Sequence, residues 1–371
     1  MSTNDTLKND IPIILDNEII PDAPISSLEA MHRYIHLLSK NEMNEIMHIK
    51  DIYYCAPNVD KKKYDPTIDN RYQTKYGDHI LFRYKIIDKL GKGAFSNCYK
   101  VYDFKEKKLV ALKILRYEPR FLRQGKIEIK ILNYLKENDP KHNHNIIHII
   151  DSFYYRNYLM MTFEICGDNL YQNLKNNNFV GYNEGNLKHI AKNILNSLCL
   201  LYDLRIIHAD LKPENLVQKG SDVMMIDFGS STKCHNKIHT YICSRYYRAP
   251  EITLGLGYDC SLDMWSFGCI IYELFIGKPL FPARNADKLI KYIVETIGQP
   301  PEKYMELLDI KYRNYILGVT DIPENYISNL LKSYDFNVSD NFVNFIESCV
   351  TWDKNDRLNP YEALRHQWLL N

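Results

Sequence analysis

One segment of the chain, His208–Asn215, constrains its fold and chemistry more than any other. It carries Asp210, Lys212 and Asn215, and Asp227 follows directly after the apolar run Val223–Ile226. Phosphoryl transfer requires a base near the acceptor hydroxyl, a cation near the transferred group and hard oxygen ligands for Mg²⁺. Asp210 suits the base, Lys212 the cation, and Asn215 with Asp227 the metal ligands. A single aspartate would indicate an ordinary turn, but four such residues in this order predict a phosphotransferase.

A glycine loop lies earlier in the chain, between two predicted strands. A lone Gly-x-Gly is a weak signal, because glycine also marks ordinary turns. The flanking strands favour a loop that covers phosphates over a Rossmann turn, which needs a following helix. Backbone N–H groups approach phosphates closely where Cβ atoms are absent. The loop comprises Leu90, Gly91, Lys92, Gly93, Ala94, Phe95 and Ser96, with Ser96 where a third glycine is expected.

Lys113 ends the apolar strand Leu109–Leu115 in the sequence Val-Ala-Leu-Lys. Taken alone, such a lysine is more often a surface residue whose stem covers apolar neighbours. The functional interpretation is a cation on the α and β phosphates, which requires a helix glutamate to orient it. Glu128 meets that requirement, since it lies in the amphipathic helix predicted over 124–135. We therefore expect a Lys113–Glu128 ion pair.

The remaining pattern predicts an α+β protein, with strands first and helices afterwards. Two N-terminal helices are predicted from the capping pairs Ser26–Glu29 and Ser39–Glu42, the first with Leu28, Met31, Ile35 and Leu38 at helical spacing. The lysine triplet 61–63 reads as a solvated loop, with a nuclear-import signal as the alternative. Further strands are predicted at 84–89, 98–102, 148–155 and 158–164, and helices at 186–204, 261–276, 286–297 and 339–350.

Composition excludes several classes of protein. Lys and Arg total 47 and Asp and Glu total 46, so bulk charge does not favour nucleic-acid or membrane binding. The first residues are polar and do not resemble a secretion signal. The apolar runs are shorter than the roughly 18 residues that span a bilayer. The nine cysteines include no Cys-x-x-Cys pair, which predicts free, mostly buried thiols. We expect an intracellular protein of the cytoplasm, the nucleus or both.

These motifs resemble the eukaryotic protein-kinase superfamily over roughly residues 84–370. Within it, the segments Glu118–Gln124, Met161–Glu164, Asp227–Ser231 and Ile238–Glu251 are similar to those of the dual-specificity tyrosine-regulated (DYRK) kinases of the CMGC group. Glu29–Met31, Tyr64–Pro66 and Gly77–Ile80 resemble class II of that family, whose N-terminal region packs on the small lobe and assists maturation. The resemblance implies a bilobed kinase fold, with an αC helix in a β-rich N-lobe and a mainly helical C-lobe. The implied domains are a flexible terminus at 1–24, an accessory region at 25–82, an N-lobe at 84–166 and a C-lobe at 167–370.

The resemblance also implies an active site that uses ATP and Mg²⁺. Asp210 would accept the proton, Lys113 and Glu128 would form the activating ion pair, and Asn215 and Asp227 would hold Mg²⁺. Further residues would contact ATP: Phe163 as gatekeeper, Glu164, Ile165 and Cys166 as hinge, Leu90, Cys98, Ala111 and Leu216 around adenine, and Asn169.

Activation and substrate choice are implied by matches in the later segments. Tyr241 matches the tyrosine that these kinases autophosphorylate, while His239 replaces the first tyrosine of the family's pair. Ala209 stands where most kinases have a phosphate-binding arginine, so Arg245 and Arg248 would pair with phosphotyrosine. Glu214 matches a residue that favours a basic side chain upstream of the acceptor, and proline after the acceptor is the family's other preference. Buried charges must be paired, which predicts a structural Glu251–Arg357 ion pair.

The expected activity is phosphorylation of serine and threonine in protein substrates, by a monomer that binds neither nucleic acid nor membrane. Three alternatives differ from this. A pseudokinase scaffold would normally lack one of Lys113, Asp210, Asn215 or Asp227. A homeodomain-interacting kinase shares the Ser-Arg-Tyr-Tyr-Arg-Ala-Pro-Glu segment but not the class II-like N-terminal region. A small-molecule kinase is disfavoured by the intact Ala249–Glu251 segment.

Overall fold

The structure, a computed structural model, describes residues 18–56, 70–234, 242–319, 326–333 and 338–370. These residues form two compact units. The first contains the described residues up to Asn138 together with Ile147–Cys166, and the second contains Asp139–Ile146 together with those from Gly167 on. The lysine triplet, Tyr64–Pro66, His239 and Tyr241 lie outside the described residues.

The N-terminal part of the first unit forms two short helices and a two-stranded ribbon. Its elements are β1 (Ile25–Ser26), α1 (Ser27–Tyr34), α2 (Lys40–Ile46) and β2 (Asp51–Ile52), with β1 antiparallel to β2. The capping box between Ser39 and Glu42 is confirmed at the start of α2. The prediction of one helix reaching Leu38 is wrong, because the chain must turn before the Ser39 cap. Leu28 is 71% exposed, whereas Leu38 is buried beyond the helix end.

A six-stranded antiparallel sheet makes up the rest of the first unit, in the order β3-β4-β5-β6-β8-β7. The five predicted strands are confirmed, and a short edge strand, β3, is added before them. Helix α3 begins before the predicted segment, at Pro119, and follows β6. The elements are β3 (His79–Ile80), β4 (Tyr84–Lys92), β5 (Ser96–Asp103), β6 (Lys108–Leu115), α3 (Pro119–Asn138), β7 (Ile149–Tyr155) and β8 (Tyr158–Glu164).

Two ion pairs join the N-terminal part to the sheet within the first unit. Arg156, after β7, bonds Glu45 of α2 through Nε at 3.0 Å and through its Nη2 at 3.1 Å. Lys85 of β4 bonds Glu18 at 2.7 Å, and both side chains are almost fully buried. An apolar cluster that runs from Ile19 through Ile46 to Phe82 fills the space between. Charges and apolar packing therefore hold this region against the sheet together.

The second unit is mainly helical and is built around α7, which is buried on all sides. A helix that is apolar all round lies inside a protein core. Its elements are α4 (Leu170–Asn176), α5 (Glu184–Asp203), β9 (Ile206–Ile207), β10 (Leu216–Lys219), β11 (Asp222–Met225), β12 (Thr232–Lys233), α6 (Pro250–Thr253), α7 (Ser261–Ile276), α8 (Ala286–Ile297), α9 (Glu302–Leu307), α10 (Ile310–Leu317), α11 (Tyr326–Lys332), α12 (Asp340–Cys349), α13 (Pro360–Leu364) and α14 (Gln367–Leu370). In the described part of the chain, no helix is both long enough and apolar enough to cross a membrane.

Candidate functional site

The carboxylate of Asp210 is held from three sides in the segment that follows β9. Lys212 Nζ donates to Oδ2 at 2.7 Å, and Ser244 Oγ donates to Oδ1 at 2.7 Å. Asn215 Nδ2 donates to the Asp210 carbonyl at 2.8 Å and to Oδ2 at 3.3 Å. The side chain is thus fixed in one orientation and half-buried, as a proton acceptor at a reacting hydroxyl must be.

The backbone ahead of Asp210 is fixed by the buried carboxylate of Asp263, near the start of α7. Its Oδ2 accepts from the amide of His208 at 2.7 Å, and its Oδ1 accepts from the amide of Ala209 at 3.1 Å. Ala209 has a φ of 61°, which costs energy for a residue with a side chain. Burial raises the pKa of Asp263 to about 6, although both amides favour its ionised form.

His208 connects this segment to the strand that leads into Asp227. Its Nε2 lies 3.0 Å from the carbonyl of Ile226, and the amide of Asp210 donates to its Nδ1 at 3.2 Å. These two bonds assign the proton to Nε2. The amide of Ile226 donates to the carbonyl of Asn215 at 3.0 Å. The two predicted metal ligands, Asn215 and Asp227, are therefore tied together through Ile226.

The donor set of these two residues suits Mg²⁺. The side-chain nitrogen of Asn215 donates to Asp210. The side-chain oxygen of Asn215 is therefore the atom left to bind a metal ion. Asp227 supplies carboxylate oxygens from a left-handed backbone with a φ of 63°. Amide and carboxylate oxygens are the hard ligands that Mg²⁺ takes, usually with waters and phosphates completing the shell. The residues present therefore fit the ion.

The predicted ion pair is present within the first unit. Lys113 Nζ of β6 bonds Glu128 Oε1 of α3 at 2.7 Å. The Glu128 side chain is 3% exposed and that of Lys113 is 13% exposed. Lys113 is therefore not a surface lysine, and its ammonium group is oriented by a buried carboxylate.

The glycine loop joins β4 to β5 as a tight hairpin. The amide of Gly93 donates to the carbonyl of Ser96 at 2.8 Å, and Arg71 and Arg116 both donate to the carbonyl of Ala94. A Cβ placed on Gly91 would meet nothing within 4 Å. Packing inside the chain therefore does not require this glycine, which fits a position kept open for phosphates. Phe95 packs against Phe121, with ring centroids 5.2 Å apart.

The other predicted ATP contacts are distributed over both units. Phe163 is buried at the end of β8 and pairs in register with Ala111, while Cys98 lies in β5. Glu164, Ile165 and Cys166 are partly exposed at the end of the first unit. In the second unit Leu216 is buried in β10. Asn169 caps α4, since its Oδ1 accepts from the amide of Gln172 at 2.8 Å, a role that the sequence did not indicate.

The two arginines predicted to bind phosphotyrosine differ in their surroundings. Arg248 is buried, and its Nε donates to the carbonyl of Ile242 at 2.8 Å while its Nη2 donates to that of Cys243 at 2.7 Å. Arg245 is partly exposed and donates to the carbonyl of Arg284 at 2.7 Å. Their proposed partner, Tyr241, lies outside the described residues.

Three functional residues were not assigned roles from the sequence. Ser244 and Asp263 bond Asp210 and Ala209, which lie 34 and 54 positions earlier in the chain. Sequence alone does not bring residues so far apart together. A conspicuous serine before Arg-Tyr-Tyr-Arg and an aspartate in an apolar helix were the available signals. Arg71, which bonds the glycine loop, carried no signal, because it lies in a polar segment among other charged residues.

This fold and this catalytic centre define a protein kinase. The sequence model described as "Protein kinase domain" matches residues 84–369. Dual specificity tyrosine-phosphorylation-regulated kinase 4 of Homo sapiens is 36% identical, over 93% of this chain and 70% of its own length. The chain belongs to this DYRK family of protein kinases.

Two further relatives give the same result. The probable serine/threonine-protein kinase dyrk2 of Dictyostelium discoideum is 38% identical over 92% of this chain and 40% of its own length. Dual specificity tyrosine-phosphorylation-regulated kinase 3 of Macaca fascicularis is 36% identical over 93% of this chain and 67% of its own length. The chain is thus a serine/threonine kinase of dual specificity, and the pseudokinase, homeodomain-interacting and small-molecule alternatives are not favoured.

Proposed function

We propose that this kinase transfers the γ-phosphoryl group of ATP, with Mg²⁺, to serine and threonine in protein substrates, and phosphorylates its own Tyr241 once during maturation. The observation that carries the proposal is the carboxylate of Asp210, held by Lys212, Ser244 and Asn215 at hydrogen-bonding distances. Such a fixed carboxylate orients an acceptor hydroxyl and accepts its proton as the new P–O bond forms.

The remaining residues supply charge and position. Lys212, next to Asp210, stabilises negative charge on the transferred group, and Lys113 positions the α and β phosphates. Asn215 and Asp227 would hold Mg²⁺, which neutralises charge on the β and γ phosphates when it is bound. The hairpin at Gly91 covers the phosphates with backbone amides. Each of these contributions is electrostatic or positional, and phosphoryl transfer needs little else from the protein.

The proposed self-activation is supported by Arg248. Its guanidinium bonds the carbonyls of residues 242 and 243, directly after Tyr241 in the chain. A phosphotyrosine carries a charge of about −1.5 to −2 and three acceptor oxygens, which pair well with guanidinium groups. Because Ala209 replaces the usual phosphate-binding arginine, Arg248 and Arg245 are the cations we assign to it.

A preference for a basic residue upstream of the acceptor is supported by Glu214. It is exposed directly ahead of Asn215, where its carboxylate can pair with the guanidinium group of a substrate arginine. A proline after the acceptor, a monomeric state, a cytoplasmic or nuclear location and the absence of nucleic-acid or membrane partners stay predictions from the sequence.

The test is phosphorylation of a set of serine and threonine peptides by three proteins: wild type, Asp210→Asn and Asp222→Asn. Asp222 is a matched control, because it is an exposed aspartate in the same unit. We expect Asp210→Asn to lose about 10²–10⁴-fold in kcat, the scale of general-base catalysis, and the control to stay near wild type. If Asp210→Asn keeps more than a tenth of the activity, the role assigned to Asp210 is wrong.

A further inference from the structure

The cysteines are more exposed than the sequence suggested. Of the nine, four are buried and five are partly exposed, so the prediction of mostly buried thiols is wrong. Two of the partly exposed ones, Cys234 and Cys260, are neighbours in the second unit, where they contact the backbone of Arg205 and Ile206. Neither has a role in the phosphoryl transfer described above.

Both cysteines are positioned by the same two residues of the chain, Arg205 and Ile206. Cys234 follows β12, whose Lys233 pairs with Ile206, and its amide donates to the carbonyl of Arg205 at 2.8 Å. Cys260 directly precedes α7, and its Sγ lies 3.8 Å from the carbonyl of Ile206. Backbone pairing on one side and a helix start on the other therefore bring the two cysteines to the same short stretch of backbone. Two partly exposed thiols held at adjacent residues of that stretch are candidates for a disulfide, which needs Cα atoms roughly 4.4–6.8 Å apart.

We propose that Cys234 and Cys260 are a redox modification site, at which a hydroperoxide converts the two thiols into a reversible disulfide. The Cys234 thiolate attacks a peroxide oxygen, which breaks the O–O bond and leaves a sulfenic acid on Cys234 and, for hydrogen peroxide, one water after protonation. The Cys260 sulfur then attacks the sulfenic sulfur and releases a second water. Two electrons pass from the two sulfurs to the peroxide, and both thiol protons end in water.

The order of the two steps follows from the surroundings of Cys260, whose thiol donates to the carbonyl of Ile206 at 3.8 Å, a bond that favours the protonated form. Desolvation, the largest cause, raises the pKa of the Cys260 thiol well above its usual range. A thiol that resists ionisation is a poor first nucleophile, because the thiolate is the reactive species. Cys260 is therefore the resolving thiol.

The disulfide would join two parts of the chain that serve catalysis. Cys234 precedes Tyr241 by seven residues, and Cys260 precedes Asp263, which holds the amides of His208 and Ala209. A covalent bond here ties the beginning of the segment that carries Tyr241 to the beginning of α7. We expect peptide phosphorylation to fall on oxidation and to recover on reduction.

A second pair of cysteines provides an internal control. Cys269 of α7 and Cys349 of α12 also lie near each other. Both are buried, with exposed fractions of 1% and 0%. Hydroperoxide cannot reach them in the folded chain. Oxidation at this pair would report unfolding rather than chemistry of the native protein.

The experiment treats the full chain with hydrogen peroxide, alkylates the remaining thiols under denaturing, non-reducing conditions, and maps the digest by mass spectrometry. We expect one crosslinked peptide joining Cys234 to Cys260, a fall in alkylated cysteines from nine to seven, and recovery of all nine after dithiothreitol. Alkylated or singly oxidised Cys234 and Cys260 without a crosslink would overturn the proposal, as would crosslinks to other cysteines. Because it measures wild-type protein, the result does not depend on whether a variant folds.

Cys234→Ser and Cys260→Ser then test the effect on activity. Each variant should abolish the crosslink and keep its peptide phosphorylation in peroxide, while wild type loses activity reversibly. A crosslink that leaves wild-type activity unchanged would overturn the regulatory part of the proposal. The crosslink itself requires no kinase activity, so its failure and a failure of the proposed function are distinguishable.

Discussion

Asp263 Oδ1 accepts a hydrogen bond at 3.1 Å from the amide of Ala209, which lies 54 positions earlier in the chain. Ala209 has a left-handed backbone, a conformation that costs a non-glycine residue roughly 1–2 kcal/mol. Because Ala209 directly precedes Asp210, this bond sets the direction in which the catalytic segment continues. The buried helix α7 thereby determines the geometry of the proton acceptor.

Replacing Asp263 should therefore impair catalysis. In Asp263→Asn one amide oxygen replaces two carboxylate oxygens, so the amides of His208 and Ala209 cannot both keep their acceptor. We expect kcat for peptide phosphorylation to fall about 10²-fold, as small displacements of a catalytic group do. Asp259→Asn is the matched control, because Asp259 lies at the same end of α7 but bonds Ser261 and Lys354. Equal activity of the two variants would contradict the positioning role of Asp263.

The effects of replacing Lys113 and Glu128 should compensate each other in stability but not in kinase activity. Lys113→Met removes the cation that Glu128 contacts and leaves a buried carboxylate, at a cost of about 3 kcal/mol. Glu128→Gln should cost less, since the Lys113 side chain is partly exposed. The double variant should recover stability relative to Lys113→Met, while every variant loses roughly 10²–10³-fold in kcat. Urea unfolding with peptide kinetics measures both, and recovery of activity in the double variant would refute the assigned role.

The ion pair between Glu251 and Arg357 should be structural. Arg357 donates both terminal nitrogens to the two oxygens of Glu251, at 2.6 and 2.7 Å, and both side chains are fully buried. Glu251→Gln should lower the free energy of unfolding by about 3–5 kcal/mol, because a buried guanidinium loses its counter-ion. The exposed pair Asp287–Lys311 is the control, and Asp287→Asn should change stability by less than about 1 kcal/mol. Similar denaturation midpoints for the two variants would argue against the buried pair.

Glu273 should make stability depend on pH. Burial raises its pKa to about 7, above that of the unfolded chain, and Tyr247 donates to its Oε2 at 2.6 Å. The folded state therefore binds more protons between pH 4.5 and pH 7, and stability that is present below pH 4.5 is lost as the pH rises to 7. Glu273→Gln removes this loss. Between pH 5 and pH 8, the free energy of unfolding of the variant should rise relative to that of wild type by on the order of 3 kcal/mol.

Urea unfolding of both proteins across that range measures the effect. Glu302→Gln, at an exposed glutamate of α9, is the control and should show no such gain. A Glu273→Gln difference that stays constant with pH would mean that Glu273 is ionised throughout.

The sequence predicted the bounds of a helix where its apolar pattern and its end residues both match the packing in the folded chain. Helix α7 and helix α8 have the predicted bounds. Helix α7 is a long apolar run that ends at Gly277, and α8 is amphipathic, with the side chain of Asn285 capping its start and Gly298 at its end. Helix α1 ends early, since eight residues carry too little local preference to decide where the helix stops. The Ser244–Asp210 and Asp263–Ala209 bonds span 34 and 54 positions, so only the folded chain reveals them. The exposure of Cys234 and Cys260 likewise depends on which elements meet around them.

The most direct test of the central claim is the intact mass of the recombinant chain, wild type beside Asp210→Asn, with peptide mapping of residues 237–250. The account predicts one phosphate on Tyr241 in the wild type and none in the variant, because the chain's own catalytic centre adds it. An unphosphorylated Tyr241 in both proteins, or phosphate on Tyr241 in both, would contradict self-activation through Asp210.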